Sequence, residues 1–212
     1  MKIYLINGEN NIGKTDFAVN LSERLSQKDR VVLTSFFRDE KKNLEDFFGK
    51  DGMVSYDIAD YFLGLAGLDR VVVNENTNLS FIIPPLIEDK YDFKVEDVYT
   101  LIDTLDSDIV IIDNLDLDIK GAIKIDIISE NDIDKDLNSD YFFINKASES
   151  FDIRNYKDKI DGKKPKYLGT VKENEFFKNV IENLLADKNE EIPSLGFFEK
   201  LKKIFKKWEI FI

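Results

Sequence analysis

The sequence contains no cysteine and no histidine among its 212 residues. Without them the chain cannot form disulfides, use a thiolate nucleophile or an imidazole base, or build a His/Cys zinc site. It also lacks an apolar run of about 18 residues, the length that a membrane-spanning helix needs. The N-terminus enters an apolar run directly and shows no signal-peptide pattern. We therefore expect a cytoplasmic protein.

Basic residues are outnumbered, with 30 Lys and Arg against 42 Asp and Glu, so the formal net charge is −12. This balance argues against broad nucleic-acid binding, which requires a basic face. Hydrophobic residues make up 43% of the chain and charged residues 34%. This length and composition predict one α/β domain with a substantial core.

The most informative stretch lies near the N-terminus, where the apolar run 3–6 precedes Gly8-Glu-Asn-Asn-Ile-Gly13-Lys14-Thr15 and a segment of helical spacing. Strand, G-x-x-x-x-G-K-T and helix in this order are typical of a phosphate-binding P-loop. The glycines allow backbone N–H groups to face phosphate oxygens, Lys14 would pair with the β- and γ-phosphates, and Thr15 would ligate Mg²⁺. An ordinary βα turn is the alternative. The predicted nucleotide-binding residues here are Gly8, Asn10, Asn11, Ile12, Gly13, Lys14, Thr15 and Asp16.

Apolar runs alternate with amphipathic segments along the rest of the chain. This rhythm predicts a single doubly wound, mostly parallel sheet with helices on both faces. We expect a nucleotide-binding domain over residues 1–190 and a separate C-terminal helix over 194–212. Further strands are predicted over 30–36, 79–84, 108–113, 123–128, 141–145 and 167–171, and helices over 40–49, 56–64, 68–73, 95–105 and 176–185.

Asp113 ends the buried-strand run 109–112. In a P-loop fold, an acid at the end of a neighbouring strand holds Mg²⁺ through its waters, and Asp113 fits that role. The alternative is that Asp113 only caps its strand. Together with the P-loop, the pattern predicts a metal site formed by Thr15 and Asp113.

The chain resembles the MinD/ParA group of P-loop ATPases, and MinD in particular. The resemblance rests on the strand–loop–helix, on the stretches 43–45, 56–60 and 79–84, on the Asp113 strand, and on 143–146 and 167–171. It implies ATP and Mg²⁺ as ligands and a homodimer as the assembly. It also implies that Asn145 contacts the adenine.

The loop departs from the family pattern K-G-G-x-G-K-T-T. Glu9 replaces the lysine that crosses the dimer interface, Asn10 and Asn11 replace two glycines, and Asp16 replaces the second threonine. Asn tolerates positive φ, so the loop shape can persist. Each acid lies beside the phosphates, where a like-charge contact near 4 Å costs about 1 kcal/mol in water and about 4 kcal/mol at an effective dielectric of 20.

The family also has an aspartate at the end of the second strand that organises the attacking water. The matching positions here are 34–37, which contain no acid, and Asp39 and Glu40 could serve only after a shift in register. The resemblance therefore implies nucleotide binding with weak or absent hydrolysis. No catalytic residue is assigned, and whether the chain is an enzyme stays open.

The C-terminal segment 199–212 carries five lysines and two glutamates, a net charge of +3 in an acidic chain. A basic amphipathic helix of this kind is typical of an anchor on anionic membranes, and MinD proteins end in a similar helix. The alternative is a terminal helix packed on its own domain. The predicted membrane-binding residues are Phe197, Phe198, Leu201, Ile204, Phe205 and Trp208.

Three functional hypotheses follow. The first is an ATP-responsive dimer and membrane switch that positions the division site or envelope assembly, peripheral on the inner face of the plasma membrane. The second is a non-hydrolysing scaffold or regulatory protein with an unidentified protein partner. The third, a small-molecule kinase or ATP-dependent ligase, has least support because no second-substrate constellation is visible in the sequence.

Overall fold

The computed structural model describes residues 1–39, 41–173, 175–196 and Glu199, and in this part of the chain eight strands form one sheet. The strands are β1 (Lys2–Gly8), β2 (Val31–Ser35), β3 (Val73–Asn74), β4 (Leu79–Ile82), β5 (Ile109–Asp113), β6 (Ile123–Ile128), β7 (Tyr141–Ala147) and β8 (Lys166–Lys172). Their order is β3-β4-β2-β5-β1-β6-β7-β8. β3 pairs antiparallel with β4, and the other neighbouring strands are parallel.

Helices connect most of these strands. They are α1 (Lys14–Leu25), α2 (Leu44–Phe47), α3 (Ile58–Phe62), α4 (Leu68–Val71), α5 (Val95–Thr104), α6 (Lys157–Asp161) and α7 (Lys178–Leu185), and a 3-10 turn (Ile153–Tyr156) precedes α6. Because consecutive parallel strands need a crossover, helices return the chain to the start of the next strand between β1 and β2, between β4 and β5, and between β7 and β8.

The inner strands are apolar on both faces, which explains why both faces are covered by helices. In β1, Tyr4 and Ile6 pack into one core cluster, with side chains from α1, α2 and α7. Leu5 packs into the cluster on the opposite face, with side chains from α3, α4 and α5. A third cluster joins β7, β8, α6 and the buried Ile192. The predicted doubly wound sheet is therefore confirmed.

The differences from the sequence prediction are local. The helix predicted over 40–49 is only Leu44–Phe47, because Asn43 and Asp46 form a capping box that fixes its start. The helix predicted over 176–185 begins at Lys178, which leaves Phe176 87% exposed. β3 and α6 are two and five residues long, too short to give a periodic pattern.

The register of the sheet assembles the predicted site. In β1, Ile6 pairs with Asp113 of β5, and Ser35 of β2 pairs with the same aspartate from the other side. The carboxyl ends of parallel strands meet at one edge of a sheet, where ligands bind in folds of this type. The loop that follows β1 therefore lies beside Asp113.

Candidate nucleotide-binding site

The loop between β1 and α1 has the backbone conformation that its glycines were expected to provide. Gly8 and Gly13 have φ values of +152° and +94°. A Cβ atom on Gly8 would lie 2.7 Å from the Ile127 carbonyl oxygen, and one on Gly13 would lie 2.6 Å from Nδ2 of Asn145. Asn11, at φ 62°, occupies the left-handed region that asparagine tolerates. The loop thus keeps its positive-φ conformations although Asn10 and Asn11 replace two glycines of the family pattern.

Replacing Gly13 with Ala should destabilise the protein more than the same change at Gly121. Both glycines have positive φ, +94° and +85°, but a Cβ atom on Gly121 would meet nothing within 4 Å. The Gly121→Ala variant therefore measures the cost of the backbone conformation alone, about 1 kcal/mol. Because Gly13→Ala adds the contact with Asn145, we expect an additional loss of about 1–2 kcal/mol in unfolding free energy, measured by urea denaturation. Equal losses would contradict the close approach.

Lys14 begins α1 and is 8% exposed. Its Nζ atom donates to the carbonyl oxygens of Gly8 and Glu9, at 2.9 and 3.4 Å. The ammonium group is therefore held over the loop by backbone carbonyls. A polyphosphate entering the loop offers this ammonium group stronger, charged acceptors.

Thr15 and Asp113 are brought together although 98 residues separate them in the sequence. The Thr15 hydroxyl donates to Oδ2 of Asp113 at 2.7 Å. The Asp113 side chain is 1% exposed, and its Oδ1 atom is buried without a hydrogen-bond partner among the described residues. The structure thus brings together the two residues predicted for the metal site and leaves one carboxylate oxygen without a partner among the described residues, but that they hold a metal stays a prediction.

Burial raises the pKa of Asp113 to about 6, because a charged carboxylate loses its hydration at this depth. The hydrogen bond from Thr15 and the Lys14 ammonium group oppose the rise, whereas the nearby carboxylate of Asp39 adds to it. A cation at this site would therefore stabilise the ionised form of Asp113.

The end of β7 holds the loop from the other side. Nδ2 of Asn145 donates to the Ile12 carbonyl oxygen at 2.7 Å, and Nζ of Lys146 donates to the Asn11 carbonyl oxygen at 2.5 Å. Asn145 is 4% exposed and is already engaged with the loop, so the adenine contact that the resemblance implies stays a prediction. Lys146 follows Asn145 directly, and no local sequence pattern predicts its contact with the loop.

The two acids of the loop occupy different environments. The Glu9 carboxylate pairs with Nζ of Lys135, in the connection between β6 and β7, and Lys135 also pairs with Asp132 at 2.8 Å. Asp16 is exposed in the first turn of α1, where the helix dipole favours an acid. An intramolecular lysine therefore offsets the charge of Glu9, an interaction with no local sequence signal because 126 residues separate the two.

A cavity of about 230 Å³ opens beside Lys14 and Thr15 and contains four lysines against two aspartates. Asp39 is one of these aspartates, although the register of β2 had placed it outside the site. Its backbone N–H donates to Oδ1 of Asn43 at 2.8 Å, and its own Oδ1 accepts from the N–H of Lys41, so the loop after β2 folds back. The cavity is lined by Asn11, Gly13, Lys14, Thr15, Asp16, Asp39, Lys41, Lys42, Phe47 and Lys146.

A larger cavity of about 580 Å³ borders the other side of Lys14. Five of its polar side chains form no hydrogen bond or ion pair with another described residue. A second molecule could therefore be accommodated beside the loop, and no local sequence pattern indicates this because these residues come from four separate segments. They are Asn7, Asn10, Asp116, Asp126 and Asn138.

The predicted membrane-binding residues Phe197, Phe198, Leu201, Ile204, Phe205 and Trp208 lie outside the described residues, so the C-terminal helix stays a prediction. Glu199 is described, and its carboxylate pairs with Arg154 at 3.0 Å. None of the helices among the described residues has the length and apolar character needed to cross a membrane.

The fold is shared with solved structures of partition and division proteins. A putative plasmid partition protein from Borrelia burgdorferi B31, bound to AMPPNP, has a TM-score of 0.62 at 19% identity over 88% of this chain and 98% of that chain. A chain of the MinC–MinD complex from Aquifex aeolicus has a TM-score of 0.66 at 15% identity over 92% and 99%. The septum site-determining protein MinD from Pyrococcus horikoshii OT3, complexed with Mg-ADP, has a TM-score of 0.58 at 16% identity over 85% of each chain.

These similarities define the fold: the chain has the P-loop architecture of the MinD/ParA ATPases. No protein-family model matches the chain, and no curated protein matches it. The predicted resemblance is therefore confirmed at the level of the fold, and the ligand, the assembly and the cellular role are matters for proposal.

Proposed function

We propose that this chain binds Mg·ATP in the loop between β1 and α1 and acts as a nucleotide-responsive switch of the MinD/ParA type. The observation that supports this most directly is the hydrogen bond between Thr15 and Asp113, beside Lys14, at the carboxyl edge of the sheet. Structural relatives bound to AMPPNP and Mg-ADP support the same ligand class. The assigned binding residues remain Gly8, Asn10, Asn11, Ile12, Gly13, Lys14, Thr15, Asp16 and Asn145.

The donor set fits Mg²⁺. Asp113 has a buried Oδ1 atom without a partner among the described residues, and the Thr15 hydroxyl lies next to the same carboxylate. In the part of the chain that the structure describes, no cluster of three acidic side chains could hold a metal by itself. Thr15 and Asp113 would therefore hold Mg²⁺ together with phosphate oxygens and water, as Mg²⁺ prefers. The ion would supply charge neutralisation of the β- and γ-phosphates.

The site is also linked to the surface of the molecule. Nδ2 of Asn114, the residue after the proposed metal ligand, donates to the Phe37 carbonyl oxygen at 2.9 Å. The same carbonyl oxygen accepts the Ser35 hydroxyl at 3.0 Å. Nucleotide and metal bound at Asp113 would therefore change the conformation of the segment 36–39 through Asn114. We propose this conformational change as the way in which nucleotide binding would favour a homodimer.

Hydrolysis is expected to be weak, and a non-hydrolysing scaffold is the second candidate function. Glu9 replaces the family's dimer lysine and is engaged with Lys135. Asp39 is the first acid after β2 and lines the cavity with Thr15, so we propose it as the residue that would organise water in any residual hydrolysis. A phosphate-release assay with Mg·ATP distinguishes the two functions: steady release that disappears in Lys14→Ala would contradict the scaffold.

The membrane part of the proposal is tested by co-sedimentation with vesicles of phosphatidylglycerol and phosphatidylcholine, with and without Mg·ATP. We expect pelleting to increase with Mg·ATP, because a dimer presents two marginal anchors at once. The double substitution Leu201→Glu with Phe205→Glu places charges on the predicted apolar face and should abolish pelleting. A pelleted fraction that changes with neither the nucleotide nor the substitution would contradict the switch.

Lys135 should matter for nucleotide binding only while Glu9 is acidic. Lys135→Gln leaves the Glu9 carboxylate uncompensated near the phosphates, so we expect two- to fivefold weaker Mg·ATP binding by calorimetry. Both side chains are more than half exposed, which keeps the effect small. In a Glu9→Gln background, the same Lys135 substitution should leave the affinity unchanged. Equal losses in both backgrounds would show that Lys135 acts independently of Glu9.

A further inference from the structure

A groove of about 400 Å³ lies between the segment 36–39 and the connection that follows β4. Its floor contains the buried rings of Phe36 and Phe93, which contact edge to face with centroids 5.0 Å apart. Its rim exposes three large apolar side chains, since Phe37 is 50%, Leu86 46% and Ile87 67% exposed. Three such side chains around one groove mark an interaction surface.

The charged side chains at the rim of this groove differ in whether they already form ion pairs within the chain. The basic groups are already engaged, Arg38 with Glu45 and Lys90 with Asp57 and Asp60. The acids Glu88 and Asp89 form no ion pair with another described residue. The groove therefore combines an apolar floor and apolar rim side chains with two acids that are free to pair with a partner. This combination suits a basic amphipathic segment.

We propose that this groove docks the C-terminal segment 197–212 of a second copy of the chain. That segment has the complementary composition, with Phe, Leu, Ile and Trp at helical spacing and five lysines between them. Its apolar face would cover Phe37, Leu86 and Ile87, and its lysines would meet Glu88 and Asp89. In the absence of a membrane, the groove thus shields the apolar face of the anchor.

The position of the groove favours a second copy over the same chain. Glu199 is held by Arg154 in the turn after β7, and β7 lies four strand positions from β2 and five from β4, a distance of about 19–24 Å at about 4.8 Å for each strand. The 13 residues that follow Glu199 span about 20 Å if they are helical. A helix of that length cannot both cross the sheet and lie in the groove.

The chain offers a direct probe, because Trp208 is its only tryptophan. A synthetic peptide of residues 196–212 is titrated with the full chain carrying Trp208→Phe, without lipid or nucleotide. We expect a saturable blue shift of the peptide's emission as the indole leaves water. Ile87→Asp in the full chain should weaken binding at least tenfold, because it places a charge in the apolar contact.

Phe176→Asp is the matched control, since Phe176 is 87% exposed and lies outside the groove. It should leave the affinity within twofold, and a peptide of the same composition in scrambled order should not give a saturable shift. The proposal is overturned by no saturable shift, or by equal affinity in Ile87→Asp and the parent chain. An emission of the wild-type chain that is blue-shifted at all concentrations would place the segment on its own chain and also overturn it. Since no nucleotide or lipid is present, these outcomes are independent of the proposed switch.

Discussion

Replacing Asp113 with Asn is expected to stabilise the nucleotide-free protein progressively as the pH rises from 4 to 7.5. The pKa of Asp113 is raised to about 6 by burial, whereas an unfolded aspartate titrates near 4. When folding raises the pKa of a carboxyl group, the contribution of that group to the unfolding free energy is fully present below the unfolded pKa. This contribution is lost as the pH rises through the folded pKa. The difference in unfolding free energy should therefore move by about 2–3 kcal/mol in favour of Asp113→Asn across this range.

Urea denaturation of both proteins at pH 4, 5, 6 and 7.5 measures this effect. The fixed cost of burying an amide instead of a carboxyl group cancels, because only the change with pH is compared. The groups that act on the Asp113 carboxylate are Lys14, Thr15, Asp39 and the backbone N–H of Asn114, and all are present in both proteins. The same substitution should remove most of the Mg²⁺ contribution to ATP affinity. A difference between the proteins that does not vary with pH would contradict the buried, ionisable carboxylate.

Replacing Lys14 with Ala is expected to weaken Mg·ATP binding by roughly 30-fold or more. Lys14 is 8% exposed, and the carbonyl oxygens of Gly8 and Glu9 hold its ammonium group over the loop. Removing one partner of a buried, charged hydrogen bond costs about 2–5 kcal/mol, and 1.4 kcal/mol is tenfold in affinity. The fold should persist, because the lost contacts are to the backbone of Gly8, which lines the open cavity, and of Glu9, which is exposed.

Lys124→Ala provides the control for this prediction. Lys124 lines the same 580 Å³ cavity as Lys14, but its Nζ atom pairs with Asp118 at 2.5 Å. Its removal changes the net charge of the chain by the same amount without touching the loop. We expect affinity within threefold of the parent. Comparable losses in Lys14→Ala and Lys124→Ala would mean that general electrostatics, and not the loop, hold the nucleotide.

The sequence predicted the fold well where patterns are local. The P-loop spacing placed β1 and α1, and the run 109–112 placed β5 and Asp113. These signals depend on side-chain periodicity and on glycine geometry, which neighbouring residues determine. The short elements β3 and α6 depend on tertiary contacts and left no readable pattern.

The contacts that define the electrostatics of the site could not be predicted in the same way. The Glu9–Lys135 pair and the Lys146 contact with the loop join residues 126 and 135 positions apart. Asp39 reaches the cavity because the loop after β2 folds back through Asn43, a turn that strand register does not reveal. Sequence patterns therefore identified the loop between β1 and α1, but neither Lys135, which compensates for Glu9, nor Lys146, which contacts the loop backbone.

Calorimetric titration of the full chain with ATP, in the presence and absence of Mg²⁺, tests directly whether the loop between β1 and α1 binds Mg·ATP. We expect saturable binding with a dissociation constant below about 1 mM, or a free energy more favourable than about −4 kcal/mol. We also expect weaker binding when EDTA removes Mg²⁺, and the roughly 30-fold or greater weakening in Lys14→Ala. No binding heat at millimolar Mg·ATP, or binding that is the same in Lys14→Ala, would contradict the proposed nucleotide site.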